Sequence, residues 1–521
     1  MVWFKRDLRV GDHAPLHGAA QAGPVLPLYI VEPELWCQPE HSGRQWAFIT
    51  ECLTELRRDL ASLGQPLIIR VGQAVEILSD LADRGAASLW SHEETGQMWT
   101  FERDKAVAHW ARARGLPWHE IPQHGIIRPL KTRNGWAGKW DRRMGKPVTP
   151  IPALKPVEGI EPGPIPSADD LGLAPDPCPE RQSGGREAGL DSLYTFLHER
   201  GRDYRKAMSS PNTAFTACSR LSPHFAWGTV SIREAYQAAR ERQDSLRADA
   251  SPDTLPWRQS IDSFIGRLHW HCHFMQKLED ETRIEFENLH RGYDGMREDG
   301  FDRSRFEAWC AGETGLPFLD ACMRTLNRTG YLNFRMRAMV MSCSSYHLWL
   351  HWREPSLFLA RQFTDFEPGI HYPQSQMQSG TTGINTVRIY NPVKQGKDHD
   401  PDGRFIRQAI PALESVPDKY IHEPWKMPAG VAKDCGVRMG SDYPDPIIDP
   451  VAAARAAKEK VYAARRGPAF RDEADAIQAK HGSRKSGMSQ VSDRRGAARR
   501  KQADKDQMAM DLGDDGAVAE G

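Results

Sequence analysis

The pattern of predicted strands and helices changes once along this chain, and that change restricts the fold more than any other feature. Residues 1–130 alternate short apolar runs with amphipathic helical stretches, whereas helical patterns dominate from residue 186 onward. Short buried strands separated by helices are typical of a parallel, doubly wound sheet covered on both faces. The sequence therefore predicts an N-terminal α/β domain followed by an all-α domain.

The α/β domain is predicted over residues 1–130. Its strands are expected at Met1–Phe4, Val25–Val31, Leu67–Val71 and Ala87–Trp90, and its helices at Arg44–Leu63, Val75–Arg84 and Trp99–Arg114. No G-x-G-x-x-G or P-loop motif follows the first strand, so a dinucleotide-binding or P-loop domain has little support. The first strand begins at the first residue, and we expect that a few upstream residues would complete it.

Residues 131–185 are predicted to be a linker, because their many Pro, Gly and Asp residues do not favour a core. The helical domain is predicted over residues 186–450, with helices at Leu190–Glu199, Ser231–Glu241, Trp257–Glu279, Arg303–Ala311, Pro317–Asn327, Phe334–Leu350 and Pro355–Phe363. Residues 451–521 are expected to form one helix, Val451–Arg466, and then a polar tail. Disorder is the simplest interpretation of that tail, and contact with nucleic acid or a signalling partner is the alternative.

The composition restricts the class of protein. Lysine plus arginine and aspartate plus glutamate number 69 each, so any surface for a polyanion must be a local patch. Nine scattered cysteines without a C-x-x-C pair disfavour a disulfide scaffold or a cysteine-ligated metal, and they favour a reducing cytoplasm. The pair His269 and His273 lacks a third ligand, so no metal is expected there. No apolar run reaches the ~18 residues of a membrane span, and we expect a monomer.

One long segment, Phe363–Asn391, is poor in leucine and rich in Gly, Pro, Gln and Thr. It lies between two predicted helical regions, where such a segment is normally either disordered or a binding loop. Its Asp365, Glu367 and His371 favour a binding loop, which we expect to close over a ligand in the helical domain.

Several long motifs resemble those of one family. They are VWFKRDLRVGDHAPL (2–16), SRLSPHFAWGTVSIREAY (219–236), GETGLPFLDACMRTLNRTGYLNFRMR (312–337), RIYNPVKQGKDHDPDGRFIRQAIPAL (388–413) and IHEPW (421–425). In this order they resemble the DNA photolyase/cryptochrome family over about residues 1–450. The resemblance implies a non-covalent FAD in the helical domain. It also implies a second, antenna-type chromophore near SHEETG (91–96), of folate or deazaflavin type, whose identity stays open.

The resemblance assigns cofactor contacts to eleven residues. The set is Tyr204, Cys218, Ser219, Arg220, Leu221, Ser222, His271, Arg337, Asp365, Glu367 and His371. Hydroxyl and backbone N–H groups at a helix start bind phosphate well, so the 218–222 segment would hold the pyrophosphate, with a simple helix N-cap as the alternative. Arg337 and Asp365 would form an ion pair across the flavin ring. His371 would face the flavin and tune its redox chemistry, since histidine titrates near neutrality.

The predicted DNA face departs from the family pattern. Its residues are Arg267, Trp270, Phe334, Arg335 and Lys394, with Trp270 as the residue against which a flipped dimer packs. Arg267, Trp270, His271 and Phe274 share one helix face by their spacing. However, Arg267 stands where dimer-repairing members place glutamate, and His271 where they place arginine. Phe334 replaces the asparagine of cyclobutane-dimer repair or the histidine of 6-4 repair, and Ala338 likewise matches neither group.

The redox path implied by the resemblance also departs from the family. Trp352 matches one member of the tryptophan chain that carries electrons to the flavin, whereas Ser375 and Asp299 stand at or near its other two positions. Tyr372, Trp349, Tyr390 and Trp309 are alternative carriers. Two functions therefore stay open: a light-driven photolyase that repairs pyrimidine dimers in damaged DNA, with Trp270 and Trp352 as catalytic residues, and a cryptochrome-type blue-light photoreceptor without repair activity.

Overall fold

Five parallel strands between residues 2 and 121 form one sheet with the order β3–β2–β1–β4–β5. The computed structural model describes residues 1–249 and 251–482. The strands are β1 (Val2–Phe4), β2 (Pro27–Val31), β3 (Ile68–Val71), β4 (Leu89–His92) and β5 (Trp118–Ile121). The helices in this part of the chain are α1 (Ala14–Ala22), α2 (Pro33–Trp36), α3 (Gly43–Ser62), α4 (Ala74–Asp83) and α5 (Met98–Arg114).

The predicted α/β elements are present within two residues of their predicted bounds. Every position of β1 and β2 is buried, which explains why these strands are continuous apolar runs rather than alternating ones. The sequence missed β5, whose four residues WHEI are half-buried or exposed. An edge strand of that composition carries too little apolar character to be recognised.

A buried polar cluster lies where the strand order reverses, between β1 and β4. His13 Nε2 and His92 Nδ1 donate to Asp7 Oδ2 at 2.9 and 2.7 Å, and His13 Nδ1 accepts from the backbone of Leu16. Burial lowers the pKa of His92 to about 3, so its ring is neutral. Within residues 1–249 and 251–482 this group has ligand atoms close enough to hold a metal ion. The hydrogen bonds within the cluster explain its geometry without a metal ion.

The segment predicted as a linker contains helix α6 (Trp136–Met144). Trp136, Trp140 and Met144 are buried in a core shared with the helical region, while Leu154 and Leu171 pack on the core of the sheet. The prediction that this composition contributes no core is therefore wrong for these residues. A few apolar side chains suffice because the larger regions on either side supply the rest of each core. The boundaries at residues 130 and 185 remain predictions.

Helices dominate from residue 186 to 482. They are α7 (Arg186–Thr195), α8 (Tyr204–Ala207), α9 (Pro211–Ala217), α10 (Ser222–Ala226), α11 (Ile232–Ala248), α12 (Thr254–Asp280), α13 (Arg303–Ala311), α14 (Pro317–Thr329), α15 (Phe334–Ser342), α16 (Arg353–Gln362), α17 (Pro368–Ser379), α18 (Pro392–His399), α19 (Arg404–Ala409), α20 (Ala429–Cys435), α21 (Pro450–Ala464) and α22 (Pro468–His481). Single π-helical turns extend α7 and α15. All seven helices predicted for residues 186–450 are present.

The prediction of a loop over residues 363–391 is wrong, because the segment contains α17. Pro368 occupies the first turn of this helix, where its missing N–H costs nothing, and Gly380 ends it with a φ of 76°. The residues between them are weak helix formers. Tyr372 and Gln376 are fully buried, and α17 packs on α12 and α15, so tertiary packing overrides local propensity here.

Beyond α21, which was predicted, the structure contains a second C-terminal helix that the sequence interpretation missed. The ring of Phe470 on α22 stacks on His290 with centroids 3.7 Å apart, and Ile477 joins the main helical core. The polar tail was predicted to begin after Arg466, and this prediction is wrong for Pro468–His481, which form α22; residues 483–521 of the predicted tail lie outside the described residues. None of the helices in the described ranges is long and apolar enough to cross a membrane.

Candidate cofactor-binding site

A cavity of about 330 Å³ lies among α12, α15 and α17, a volume typical of small-molecule sites. The structure brings fifteen of the seventeen predicted site residues to its wall: Tyr204, Cys218, Ser219, Arg220, Leu221, Ser222, Arg267, Trp270, His271, Phe334, Arg335, Arg337, Asp365, Glu367 and His371. They come from five separate stretches of sequence. Their convergence is a property of the fold that no single motif contains.

Arg337 and Asp365 form a two-pronged ion pair in this wall. Arg337 Nη1 and Nη2 donate to Asp365 Oδ1 and Oδ2 at 2.9 and 2.7 Å. The Asp365 side chain is only 2% exposed. Arg337 also donates through Nε to the Leu332 carbonyl at 2.7 Å, and its guanidinium lies 4.0 Å from the ring centre of Phe363. The pair is thus held in one orientation at the cavity surface despite its desolvation cost.

Glu367 is a second acidic residue of the wall, at the start of α17. It is buried, and its Oε1 atom has no hydrogen-bond partner within the structure. Burial raises the pKa of Glu367 to about 7, although the nearby positive charge of Arg6 partly opposes this shift. With this pKa, Glu367 is partly protonated at neutral pH. It can therefore either donate a hydrogen bond to a ligand in the cavity or carry a negative charge beside it.

His371 lies one turn further along α17. Its Nε2 donates to the Ser356 carbonyl at 2.8 Å, which leaves Nδ1 without a proton and able to accept a hydrogen bond. Burial lowers the pKa of His371 to about 4. The expectation that His371 titrates near neutrality is therefore wrong, because the ring is too well buried to carry a charge there. Of these two residues, Glu367 is the one whose pKa lies near neutrality.

The wall at residues 218–222 is held by contacts of its backbone and of the Arg220 side chain. Arg200 donates to the Ser219 carbonyl at 2.8 Å. Arg220 has a φ of 61°, a left-handed conformation that costs a non-glycine residue roughly 1–3 kcal/mol. Its guanidinium stacks 3.7 Å from the ring centre of Tyr331. Helix α10 begins at the end of this segment without a side-chain cap bond, so the segment does not serve as an ordinary N-cap.

Aromatic side chains line another part of the cavity. Trp270 and Phe274 lie one turn apart on α12 with ring centroids 5.7 Å apart. Arg267, one turn before Trp270, lies 5.7 Å from the ring centre of Phe334. Trp270 and Phe334 are only half-buried. The cavity thus has a partly exposed aromatic face with a guanidinium beside it, a combination on which nucleic-acid bases stack.

Two predicted site residues lie away from the cavity. Trp352 is fully buried behind the wall and donates to Asn288 Oδ1 at 2.9 Å. Lys394 is exposed on α18, where it pairs with Asp398 at 2.6 Å. The sequence interpretation also missed wall residues, including Gln374 and Gln378 of α17. Their spacing from His371 would have identified them if the helix had been recognised.

The donor set of the cavity fits a flavin nucleotide. His271 Nε2 and Glu367 Oε1 are buried atoms of wall residues and have no hydrogen-bond partner among the described residues, so a polar ligand would satisfy both. The Arg337–Asp365 pair offers fixed charges of both signs to a polar ring. The apolar side chains of Phe225, Leu268 and Phe366 complete the wall.

Comparison with known proteins agrees with this interpretation. Residues 1–139 match a family model described as DNA photolyase, and residues 264–463 match one described as the FAD binding domain of DNA photolyase. The chain is 28% identical to cryptochrome DASH of Natronomonas pharaonis over 485 residues, covering 86% of this chain and 98% of the relative. It is 29% identical to the deoxyribodipyrimidine photo-lyase of Halobacterium salinarum over 477 residues, covering 86% and 96%.

The chain belongs to the DNA photolyase/cryptochrome family. The crystal structure of a class III photolyase from Agrobacterium tumefaciens superposes with a TM-score of 0.77 at 26% identity, covering 89% of this chain and 97% of that one. The α/β and helical regions of that photolyase therefore match those of this chain. The FAD-binding domain makes FAD the cofactor of this photolyase/cryptochrome family member.

Glu367 makes the stability of the cofactor-free protein depend on pH. The folded protein retains this proton up to about pH 7, whereas an unfolded chain releases it near the ordinary value of 4.5. Raising the pH between these values therefore destabilises the folded state, by about 3 kcal/mol in total. We expect the free energy of unfolding of the Glu367→Gln variant to lack this decrease with pH, because glutamine has no proton to release. Unfolding by denaturant at pH 5, 6, 7 and 8 would test it, and parallel pH curves for both proteins would contradict it.

Proposed function

We propose that this protein is a light-driven DNA photolyase that repairs pyrimidine dimers with FAD. One observation carries the proposal: a single cavity is bordered both by the polar residues that fit FAD and by the aromatic face of Trp270, Phe274 and Phe334. A substrate stacked on that face would share one enclosed space with the cofactor. Electron transfer between the cofactor and the substrate requires such a short separation.

In this proposal the residues act by binding and positioning. Reduced FAD, when bound and excited by light, supplies an electron that splits the dimer and then returns, so no net oxidation occurs. Arg337 and Asp365 orient the flavin ring, and residues 218–222 hold its pyrophosphate. The unprotonated Nδ1 of His371 accepts a hydrogen bond in the cavity, and Glu367 holds or releases a proton beside it.

The damaged bases must leave the duplex to enter such a cavity, and damage makes this flipping cheaper because the dimer stacks and pairs poorly. Trp270 provides the flat surface on which the flipped dimer stacks. Arg267 and Arg335 lie at the same wall and would hold the neighbouring phosphates, with Lys394 at a greater distance. Binding would then weaken as salt is added.

A cryptochrome-type photoreceptor without repair activity is the second candidate. Phe334 favours it, because an apolar ring stands where repair enzymes of the family place a polar side chain. The relatives bear both names, cryptochrome DASH and deoxyribodipyrimidine photo-lyase. Shared cofactor binding does not distinguish the two functions.

One experiment separates the two functions. The purified protein is reduced and illuminated with oligonucleotides that carry a cyclobutane dimer or a 6-4 photoproduct, each single-stranded and double-stranded. Recovery of the intact bases in light but not in darkness would support the photolyase. Failure on all four substrates, with flavin bound, would leave the photoreceptor. The absorption spectrum of the same preparation would show whether an antenna pigment accompanies FAD.

Trp352 is proposed to carry electrons toward the cavity. The Ser356 backbone N–H donates to the Trp352 carbonyl at 2.9 Å, and Ser356 in turn contacts His371 of the wall. Tyr372 offers a parallel route, since its ring lies 5.5 Å from His371. We expect Trp352→Phe to slow photoreduction of bound flavin at least ~10-fold under blue light, because phenylalanine is far harder to oxidise. Trp118→Phe, in the sheet, is the control, and an unchanged rate in Trp352→Phe would exclude this route.

A further inference from the structure

A buried tyrosine–carboxylate pair lies directly behind the cavity wall. The hydroxyl of Tyr372, on α17, donates a hydrogen bond to Glu40 Oε1. Both side chains are buried, and that of Tyr372 is fully so. The ring centre of Tyr372 lies 5.5 Å from that of His371 and 6.3 Å from that of Phe366, and both of these residues line the cavity. Only one side chain therefore separates Tyr372 from a ligand bound there.

Glu40 is placed to accept the proton of this phenol. It belongs to the segment between α2 and α3, and its second oxygen, Oε2, accepts from Gln97 Nε2 at 3.4 Å. Acceptance on both oxygens fits the ionised carboxylate, the form that can take up a proton. Arg353 donates to the Tyr372 hydroxyl at 3.4 Å and lies 3.8 Å from Glu40 Oε1. Burial raises the pKa of Tyr372 well above its ordinary value, and the charge of Glu40 raises it further, so the phenol keeps its proton in the dark.

Two tryptophans that could also carry electrons have different partners. Trp352 donates to the side-chain amide of Asn288 at 2.9 Å, and an amide oxygen is not a base. The ring centre of Trp349 lies 4.7 Å from the guanidinium of Arg297 and 4.4 Å from Lys460 Nζ. Loss of an electron from Trp352 would leave its positive charge in place, and at Trp349 the two cations would repel such a charge. Tyr372 is the carrier that can lose its charge to a neighbour.

We propose that Tyr372 and Glu40 form a proton-coupled redox pair that supplies electrons to the flavin in light. Tyr372 loses one electron to the photoexcited, oxidised flavin and its phenolic proton to Glu40, which leaves a neutral tyrosyl radical beside a neutral carboxylic acid. The pair thereby ends without a buried charge, which favours the step in a desolvated site. The inference rests on the proposed light-driven function, because the flavin must be reduced before it can repair a dimer.

The pair also has a route back to its starting state. Arg353 lies 5.1 Å from the ring centre of Phe286, whose side chain is 47% exposed, so the pair lies close to the protein surface. A thiolate in solution would supply the electron that restores Tyr372, and Glu40 would return the proton. Trp352 belongs to the same buried core as Tyr372. An electron taken first from Trp352 would therefore also be replaced from Tyr372, since the neutral radical carries no buried charge.

Electron paramagnetic resonance after blue-light illumination tests the proposal. The flavin-loaded, oxidised protein carries ring-deuterated tyrosine, and no thiol is added. We expect a radical whose spectrum narrows with the label and whose intensity is at least ~10-fold lower in Tyr372→Phe and in Glu40→Gln. Glutamine still accepts the phenolic hydrogen bond but cannot take the proton, so oxidation of Tyr372 in that variant would leave a buried cation.

Tyr443→Phe is the matched control. Tyr443 is also buried and donates to a buried carboxylate, Asp320 Oδ2 at 2.6 Å, but it is not among the residues that line the cavity. Its loss should leave the radical signal unchanged. The proton is followed separately by infrared difference spectra, in which illumination of the wild type should produce the band of a protonated carboxylic acid and Glu40→Gln should lack it. Flavin content and melting temperature show whether each variant folds.

The outcomes separate the redox pair from the photolyase function. An undiminished radical in Tyr372→Phe or in Glu40→Gln would overturn the inference. A chemically reduced wild type that repairs dimers but forms no tyrosyl radical when illuminated in its oxidised form would overturn the redox pair alone. A wild type that forms the radical but repairs no dimer after chemical reduction would overturn the photolyase and leave the redox pair intact.

Discussion

Asp365→Ala should remove FAD from the protein. The substitution leaves Arg337 at the cavity wall without the carboxylate that now accepts from both of its terminal nitrogens. Breaking a buried ion pair typically costs about 3–5 kcal/mol, which corresponds to a roughly 100–4000-fold weaker flavin affinity if the cost falls on the bound state. The measurement is the flavin-to-protein ratio after purification, followed by titration of the apoprotein with FAD.

Asp398→Ala is the matched control, since Asp398 also pairs with a cation but on the exposed surface of α18. Exposed pairs contribute at most about 1 kcal/mol, so flavin affinity should stay the same. The melting temperature of both apoproteins shows whether each still folds. If Asp365→Ala retained FAD with an affinity within threefold of the wild type, the pair would have no role in holding the cofactor.

Trp270→Ala should abolish tight binding of dimer-containing DNA while leaving flavin content unchanged. Stacking of a base on an aromatic side chain is worth about 1–3 kcal/mol, and a dimer presents two bases to one indole. We expect the ratio of the affinities for damaged and undamaged duplex to fall ~30-fold or more. Repair at low substrate concentration should fall by the same factor. Trp270→Phe should recover part of both, because it keeps a stacking surface.

Trp257→Ala is the control for this change. Trp257 lies on the same helix, but it contacts Arg242 outside the cavity. Its loss should leave discrimination between damaged and undamaged DNA unchanged. If Trp270→Ala discriminated as well as the wild type, the aromatic face would not be the lesion site, and the photoreceptor would become the stronger candidate.

The sequence predicted the fold best where local pattern and tertiary structure agree. β1 and β2 were recognised because both of their faces are buried, and helix α13 was predicted with its observed bounds. Helix α17 was missed because its stability comes from packing on α12 and α15 and not from its own residues. Helix α22 was missed for a related reason, since few of its side chains are buried and its anchors, His290 and Glu281, lie far away in sequence.

In the candidate site, too, the local sequence and the tertiary structure determine different properties. The sequence by itself determined which residues could serve a flavin, because their types and motif positions are local properties. Only the tertiary structure decided which of them meet and in what state. It placed Trp352 and Lys394 away from the cavity, made His371 neutral, and raised the pKa of Glu367 to about 7. Burial sets these properties, and burial depends on side chains from distant parts of the chain.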